Sequence, residues 1–148
     1  AVWLLQPRMA WFADPAPDPE TSWAEQAQNV PSGDRSAYER LMTLMNDGVY
    51  RQDGLTVAVL AEKVGVPEHQ LRKLINGALG FRNFSSFLNA RRIEDAKSAL
   101  ADRANARKQI LQIALDLGYG SIAPFNRAFK QATGQTPSEY RKAALDAG

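Results

Sequence analysis

The sequence has no cysteine and a single histidine, His69, in 148 residues. The absence of cysteine excludes a disulfide framework, a thiolate zinc site and a cysteine nucleophile. One histidine leaves histidine-based metal clusters and catalytic triads incomplete, and no paired carboxylates in an apolar setting take their place. We therefore expect no catalytic residue, no metal site, no cofactor and no enzymatic activity, and no small-molecule site is evident.

Long apolar runs are also missing. None reaches the roughly 18 residues that a membrane-spanning helix needs. No signal-peptide pattern starts at Ala1, and we expect the chain to be a fragment of a longer protein. Its length fits one compact domain, or two very small domains that share a helix.

The net charge of +2 is distributed unevenly along the chain. Residues 1–35 contain two basic and five acidic residues, whereas residues 36–148 contain sixteen basic and eleven acidic residues. A basic body favours a polyanionic partner, although many solvated helical surfaces are equally basic.

The composition changes near residue 35. Residues 1–12 are apolar and aromatic, and residues 13–34 hold four prolines among small and acidic residues, which is typical of a linker. From Ser36 onward, apolar residues recur at helical spacing between turns marked by glycine. We predict an N-terminal apolar segment and proline-rich linker over residues 1–35, and an all-α domain of about seven helices over residues 36–148.

An internal repeat runs through this helical domain. The stretches "LAEKVGVPEHQLRKLINGALG" and "IALDLGYGSIAPFNRAFKQATG" share one skeleton, and the turn of the second stretch is one residue longer. Each stretch has the plan of a helix-turn-helix. We predict one such unit over about 56–80 and another over about 108–134, joined by a long helix over about 83–101. The matched positions are Ala61 with Ala114, Gly65 with Gly118, Leu71 with Phe125, Ile75 with Phe129, and Gly80 with Gly134.

The second helix of a helix-turn-helix packs its inner face on the first helix and places its outer face in the DNA major groove. Arginine and lysine donate to guanine, asparagine bridges adenine, and apolar side chains pack on the thymine methyl. The outer-face candidates are His69, Arg72, Lys73 and Asn76 in the first unit, and Ile122, Ala123, Asn126, Arg127 and Lys130 in the second.

Some of these candidates have two interpretations. His69 is as compatible with a plain surface position as with a groove contact, and Ile122 and Ala123 either pack on a thymine methyl or make no contact. The candidates for phosphate contacts are Arg91, Arg92, Arg107 and Lys108, for which a solvated helix face is an equal alternative. Two basic copies in one chain favour double-stranded DNA as the partner. The alternative from another class is a helical protein-interaction module with incidental DNA affinity.

The stretch "IALDLGYGSIAPFNRAFKQATGQTPSEYR" resembles the second helix-turn-helix of the AraC/XylS family of bacterial transcriptional regulators. The family pattern is I-A-x-x-x-G-F-x-S-x-S-x-F-x-R-x-F-K-x-x-x-G-x-T-P-x-x-Y-R. The resemblance extends over about residues 36–145. The positions that match are Ile113, Ala114, Gly118, Ser121, Phe125, Arg127, Phe129, Lys130, Gly134, Thr136, Pro137, Tyr140 and Arg141.

The resemblance implies a DNA-binding domain that inserts two recognition helices into successive major grooves, in a transcriptional regulator of the bacterial cytoplasm. It implies base contacts from most of the outer-face candidates, a sensing domain outside this fragment, and RNA polymerase as a candidate partner. The sequence departs from the family at Tyr119, which replaces phenylalanine, and at Ala123, which replaces the second serine. Pro124 and Pro67 are also unusual, and these departures weaken the expected base readout of the second helix.

The first 35 residues have no counterpart in this resemblance. The long helix looks like that of a subgroup with a membrane-embedded sensor, so residues 1–12 could follow a membrane-spanning segment and tether the domain to the inner membrane. The alternative is that their aromatic side chains dock on the helical body or belong to a truncated domain.

We expect Thr56 to cap the first helix of the first unit. The turn-forming residues within Leu115–Arg141 predict further helix ends. We expect Ser121 to cap the second recognition helix, with Pro124 at its third position, where a missing N–H group costs little. Gly134 is expected to end that helix, and "TPSE" from Thr136 is expected to form a capping box with Pro137 at the first helical position.

Overall fold

The computed structural model describes residues 25–147, and these form an all-α fold without a β-strand. This confirms the predicted fold of two helix-turn-helix units joined by a long helix. A π-helical turn, Leu74–Ala78, continues the third helix. The helices are α1 (Arg35–Asn46), α2 (Val57–Val64), α3 (Glu68–Lys73), α4 (Phe84–Ala101), α5 (Ile110–Asp116), α6 (Ile122–Thr133) and α7 (Pro137–Asp146).

The apolar segment over residues 1–12 and most of the proline-rich stretch lie outside the described residues. Within residues 25–147, no helix combines the length and the apolar character that crossing a bilayer requires.

Two separate hydrophobic cores divide the molecule. The first packs α1, α2 and α3 against the beginning of α4, where Phe87 and Leu88 are buried. The second packs α5 and α6 against the rest of α4, where Ile93 and Leu100 are buried. The long helix therefore belongs to both subdomains, and the seam between them crosses α4 at Arg92.

The two units repeat one backbone design. The amide of Val66 donates to the carbonyl of Ala61, and the amide of Tyr119 donates to that of Ala114, both at 3.1 Å. The matched core positions are buried in both copies, and the matched glycines adopt left-handed backbone conformations. The sequence repeat is thus a structural repeat, in which leucine and isoleucine of the first core are replaced by phenylalanines in the second.

The packed body begins before the predicted boundary at residue 36. Val30 is only 5% exposed and belongs to the first core. Gln70 of α3 donates a hydrogen bond to Asp34 at 3.1 Å. Composition alone places Val30 and Asp34 in the linker, because prolines and small polar residues surround them. In the structure, Val30 and the partly buried Ala27 pack this stretch against the first core.

Several helix ends form as predicted. Thr56 caps α2 by accepting from the amide of Val59 at 3.2 Å. Thr136 caps α7 by accepting from the amide of Glu139 at 3.2 Å. The second bond differs from that of the predicted capping box, because the Glu139 carboxylate accepts from the Thr136 hydroxyl, at 3.0 Å, and not from the Thr136 amide. Pro137 occupies the first position of α7, and Gly134 ends α6 with φ of 77°.

The matched glycines Gly65 and Gly118 differ in their surroundings. Both have positive φ, 83° and 96°. A Cβ atom on Gly65 would meet no atom within 4 Å, whereas one on Gly118 would lie 2.8 Å from the backbone carbonyl carbon and oxygen of Arg51. The turn of the second unit is therefore pressed against a segment of the first subdomain.

We predict that Gly65→Ala and Gly118→Ala lower the free energy of unfolding by different amounts. At Gly65 the cost is left-handed backbone strain alone, about 1–2 kcal/mol. At Gly118 steric displacement of the Arg51 backbone adds roughly 1–3 kcal/mol. Urea unfolding of both variants measures the difference between the two losses, provided that the free energy of unfolding falls with urea concentration at the same slope in both. Equal losses would show that the Gly118 contact does not constrain the fold.

Candidate nucleic-acid interface

The first recognition helix, α3, is amphipathic in the sense that the sequence predicts. Leu71 and Ile75 are fully buried and hold the helix against the first core. All four outer-face candidates are exposed: His69, Arg72, Lys73 and Asn76. The structure thus presents a continuous polar surface that no described element covers.

Arg72 makes a salt bridge with Glu68, one helical turn earlier. Its Nη2 atom lies 2.8 Å from Glu68 Oε1, and the two side chains are 54% and 45% exposed. Ion pairs in such settings contribute little to stability. Arg72 can therefore exchange this carboxylate for another hydrogen-bond acceptor at small cost.

The end of α3 departs from the regular helix that the sequence pattern assumes. The π-helical turn, Leu74–Ala78, widens the backbone there. Asn76 lies in this turn, and with Arg72 and Asn83 it lines a small cavity of about 60 Å³. Asn76 is exposed, but the turn directs it toward the start of α4.

The second recognition helix, α6, is held by aromatic rings. Phe125 and Phe129 are fully buried, with ring centroids 5.7 Å apart. Tyr119 packs against the first of these rings at a tilt of 51°, and Tyr140 meets the second edge-on. The outer face is less polar than that of α3: Ala123, Arg127 and Lys130 are exposed, Ile122 is 39% exposed and Asn126 is half-buried.

The expected side-chain cap of α6 does not form. Ser121 occupies the N-cap position with extended backbone, but its hydroxyl accepts no amide hydrogen bond. A capping serine accepts from the amide of the second or third helical residue. Pro124 is that third residue, as predicted, and proline has no N–H group. The proline that fits the first turn therefore removes a partner that the serine would have used.

The candidates for phosphate contacts lie in different environments. Arg107 is exposed, and Arg91 is half-buried. Lys108 forms an ion pair with Asp116 at 2.6 Å. Hydrogen bonds from Lys108 and Gln112 hold the pKa of the Asp116 carboxyl below its usual value.

Arg92 is also one of the predicted phosphate contacts. The structure corrects this expectation, because the Arg92 side chain is only 8% exposed. Its Nε atom donates to the carbonyl oxygen of Tyr50 at 2.7 Å, and its guanidinium lies 5.1 Å from the ring centroid of Tyr119. A buried guanidinium with these partners is not available to a phosphate. The sequence contains a signal for this placement, since Arg92 falls four residues after Leu88 and four before Ala96, on the apolar stripe of α4.

An open groove of about 360 Å³ follows the seam between the subdomains. Arg92, Asn89 and Pro124 are among its lining residues. The groove is bounded by the contacts that join the two units. It lies beside the start of α6.

The arrangement is matched by known proteins. A family model described as a helix-turn-helix domain matches residues 60–143. A crystal structure of a transcriptional regulator from Chromobacterium violaceum, described as an AraC-type DNA-binding domain-containing protein, has a TM-score of 0.63 and 25% sequence identity. It covers 80% of this chain and 100% of its own. The chain belongs to the AraC-type helix-turn-helix family.

Other similar proteins are regulators as well. The C-terminal domain of AraT, a response regulator from Geobacillus stearothermophilus, has a TM-score of 0.61 and 28% identity over 73% of this chain and 84% of its own. A helix-turn-helix-type transcriptional regulator of Staphylococcus aureus is 42% identical over 89 residues, which are 60% of this chain and 11% of that protein. The transcriptional regulator Rob of Salmonella typhimurium is 36% identical over 90 residues, 61% of this chain and 30% of Rob. The chain thus spans a small part of these curated relatives.

We predict that removing the two N-cap hydroxyls has unequal effects. Thr136→Ala removes a formed cap and lowers the free energy of unfolding by about 0.5–2 kcal/mol. Ser121→Ala removes a hydroxyl without a capping bond and changes it by roughly 0.5 kcal/mol or less. Paired chemical denaturation compares the two variants. A loss at Ser121 as large as that at Thr136 would contradict the uncapped start of α6.

Proposed function

We propose that this domain binds double-stranded DNA sequence-specifically and inserts α3 and α6 into successive major grooves. One observation carries the proposal: two repeated helices bury an apolar face in separate cores and leave their opposite faces exposed. Membership of the AraC-type family supports it. The family is one of DNA-binding regulators, and we propose no reaction for the chain.

In this proposal α3 supplies most of the base readout. Arg72 and Lys73 donate to guanine O6 and N7, and Asn76 contacts an adenine or the adjoining backbone. His69 lies near the start of the helix, where base contacts concentrate in helix-turn-helix proteins. The exposed pair of Arg72 with Glu68 supports this assignment because the arginine side chain is accessible.

In α6 we assign polar contacts to Asn126, Arg127 and Lys130. Ile122 and Ala123 pack on thymine methyl groups. The exposed apolar surface of Ile122 at the start of this helix supports that assignment. Arg91, Arg107 and Lys108 are the phosphate contacts that we retain, and Lys108 would exchange Asp116 for the DNA backbone.

The proposal also extends to the parts of the protein outside this chain. The relatives are longer than this chain, so we propose a sensing domain elsewhere in the protein and action as a transcriptional regulator with RNA polymerase as a partner. We place the domain in the bacterial cytoplasm, where the chromosome lies. An apolar run of roughly 18 residues upstream of residue 1 would identify a membrane tether.

Selection from a random double-stranded DNA library tests the proposed function. We expect a bipartite motif whose two halves are separated by about one helical turn, 10–10.5 base pairs. For the three phosphate contacts that we retain, affinity should fall roughly fortyfold between 50 and 200 mM salt. Enrichment of no motif, together with salt-insensitive binding, would instead favour a protein-interaction module with incidental DNA affinity.

We predict that Arg72→Ala weakens binding to the selected DNA by roughly 1–3 kcal/mol and relaxes preference at one base position. Lys63→Ala is the matched control, because it also removes one positive charge. Lys63 lies on α2 and lines a surface groove with Arg40 of α1. Titrations of both variants against the motif and its single-base changes measure the effect. Wild-type affinity and preference in the Arg72 variant would remove Arg72 from the readout.

A further inference from the structure

The seam between the subdomains is built around one charged side chain. The first core ends on α4 at Leu88 and the second begins at Ile93, so Arg92 lies between them. Among the described residues it is the one charged side chain that is buried. A buried charge requires hydrogen-bonding or charged partners.

Arg92 has those partners. Its Nε atom donates to the carbonyl of Tyr50 at 2.7 Å, and Nη2 donates to that of Gln52 at 3.4 Å. Both carbonyls belong to the segment between α1 and α2 of the first subdomain. On the other side, its guanidinium covers the ring of Tyr119, from the turn of the second unit. One side chain on α4 therefore touches both subdomains.

A second layer of contacts encloses Arg92. The carboxylate of Asp95, one turn further along α4, accepts from the Tyr50 hydroxyl and from Arg51, whose Nη2 lies at 2.7 Å. The Tyr119 hydroxyl donates to Asn89 on the same helix at 2.6 Å. We call this set the Arg92 junction: Tyr50, Arg51, Gln52, Asn89, Arg92, Asp95, Gly118 and Tyr119.

Gly118 makes the junction a close backbone contact. A Cβ atom there would lie 2.8 Å from Arg51 backbone atoms and 2.8 Å from Nη2 of Arg92. The segment of the first subdomain and the turn of the second unit are thus packed without room for even a methyl group. Such packing fixes the rotation of one subdomain about α4 relative to the other.

We infer that the Arg92 junction determines the spacing between the two DNA half-sites that the domain accepts. The inference rests on the proposed function, because it assumes that α3 and α6 each enter a major groove. Successive grooves recur at one helical turn, so a rigid body accepts a narrow range of spacings. None of the junction residues is an outer-face candidate of α3 or α6, and Arg92 is a positioning residue. Loosening it leaves each reading surface intact but lets the subdomains pivot.

A spacing series tests this inference. The bipartite motif selected by the wild type is rebuilt with one or two base pairs inserted into or deleted from the spacer. We expect the wild type to lose about tenfold or more in affinity when the spacing is wrong, comparable to a mismatched base pair. For Arg92→Met we expect the affinities for correct and altered spacings to fall within about threefold of one another.

Spacing discrimination is the ratio of the affinities for the correct and the altered spacings. It distinguishes a positioning role of Arg92 from a loss of stability, because a merely less stable domain loses affinity for every spacing alike. Lys97→Met is the control on the same helix, where the lysine forms only a surface ion pair with Glu94. It should retain wild-type discrimination. If Arg92→Met does not fold, two milder variants replace it: Arg92→Lys, which lacks the planar guanidinium, and the isosteric Asp95→Asn. Each should reduce the ratio of the affinities for the correct and the altered spacings.

A second measurement needs no DNA. The sequence has no cysteine, so Glu62→Cys on α2 and Lys142→Cys on α7 allow two spin labels to be attached at exposed positions in different subdomains. We expect a single narrow distance distribution in the otherwise unchanged chain. It should broaden when Arg92→Met or Asp95→Asn is added, and stay narrow with Lys97→Met.

The possible failures are distinguishable. If the wild type selects no DNA motif, the proposed function fails and the spacing inference fails with it. If the wild type selects a bipartite motif but the junction variants keep its spacing discrimination and a narrow label distance, the inference alone is overturned.

Discussion

The arrangement of the two helix-turn-helix units depends on the buried guanidinium of Arg92. Removing a charge from water costs several kcal/mol unless polar partners replace the hydration. Burial lowers the pKa of this guanidinium, yet arginine stays charged under all ordinary conditions. Its partners come from the segment before α2, through the carbonyl of Tyr50, and from the turn after α5, through the ring of Tyr119. The chain satisfies the charge only where these two segments and α4 meet, so the cost of burial disfavours other arrangements.

This constraint explains where the structural repeat diverges. Both units place a left-handed glycine in the turn between their helices, and both turns close through equivalent amide hydrogen bonds. Gly65 faces open space, so its conformation alone calls for glycine. Gly118 also faces the backbone of Arg51. Tyr119, the residue after it, is buried, and burial raises the pKa of its hydroxyl to about 12. The turn of the second unit therefore also contacts the first subdomain, which, among the described residues, the turn of the first unit does not do for the second.

Local rules in the sequence predicted most of the fold. Caps such as Thr56 and Thr136 and the matched core positions follow from patterns within one turn of helix, and these features were confirmed. The failed cap of Ser121 is local, because Pro124, three residues later, has no N–H group to donate. The other failures arose where distant segments decide. Val30 looks like linker until the first core is assembled around it, and Arg92 looks like a surface cation until Tyr50 and Tyr119 are placed beside it. The exposed faces of α3 and α6 were predicted from periodicity, but their contacts with bases remain predictions, because no sequence pattern fixes a partner's geometry.

The two recognition helices differ in the polarity of their exposed faces. Under the proposed function, a rigid Arg92 junction allows the less polar helix to contribute to DNA binding. α3 presents charged donors, whereas α6 begins with Ile122 and Ala123, which carry none. Once α3 occupies its groove, a rigid connection holds α6 at the next groove without a further loss of translational and rotational freedom. Weak contacts, such as packing on a thymine methyl or a single polar contact of Lys130, then contribute almost fully to affinity. A flexible connection would lose much of that gain in ordering two independent domains. The second helix therefore needs few base-reading groups, because the fold supplies its high local concentration at the DNA.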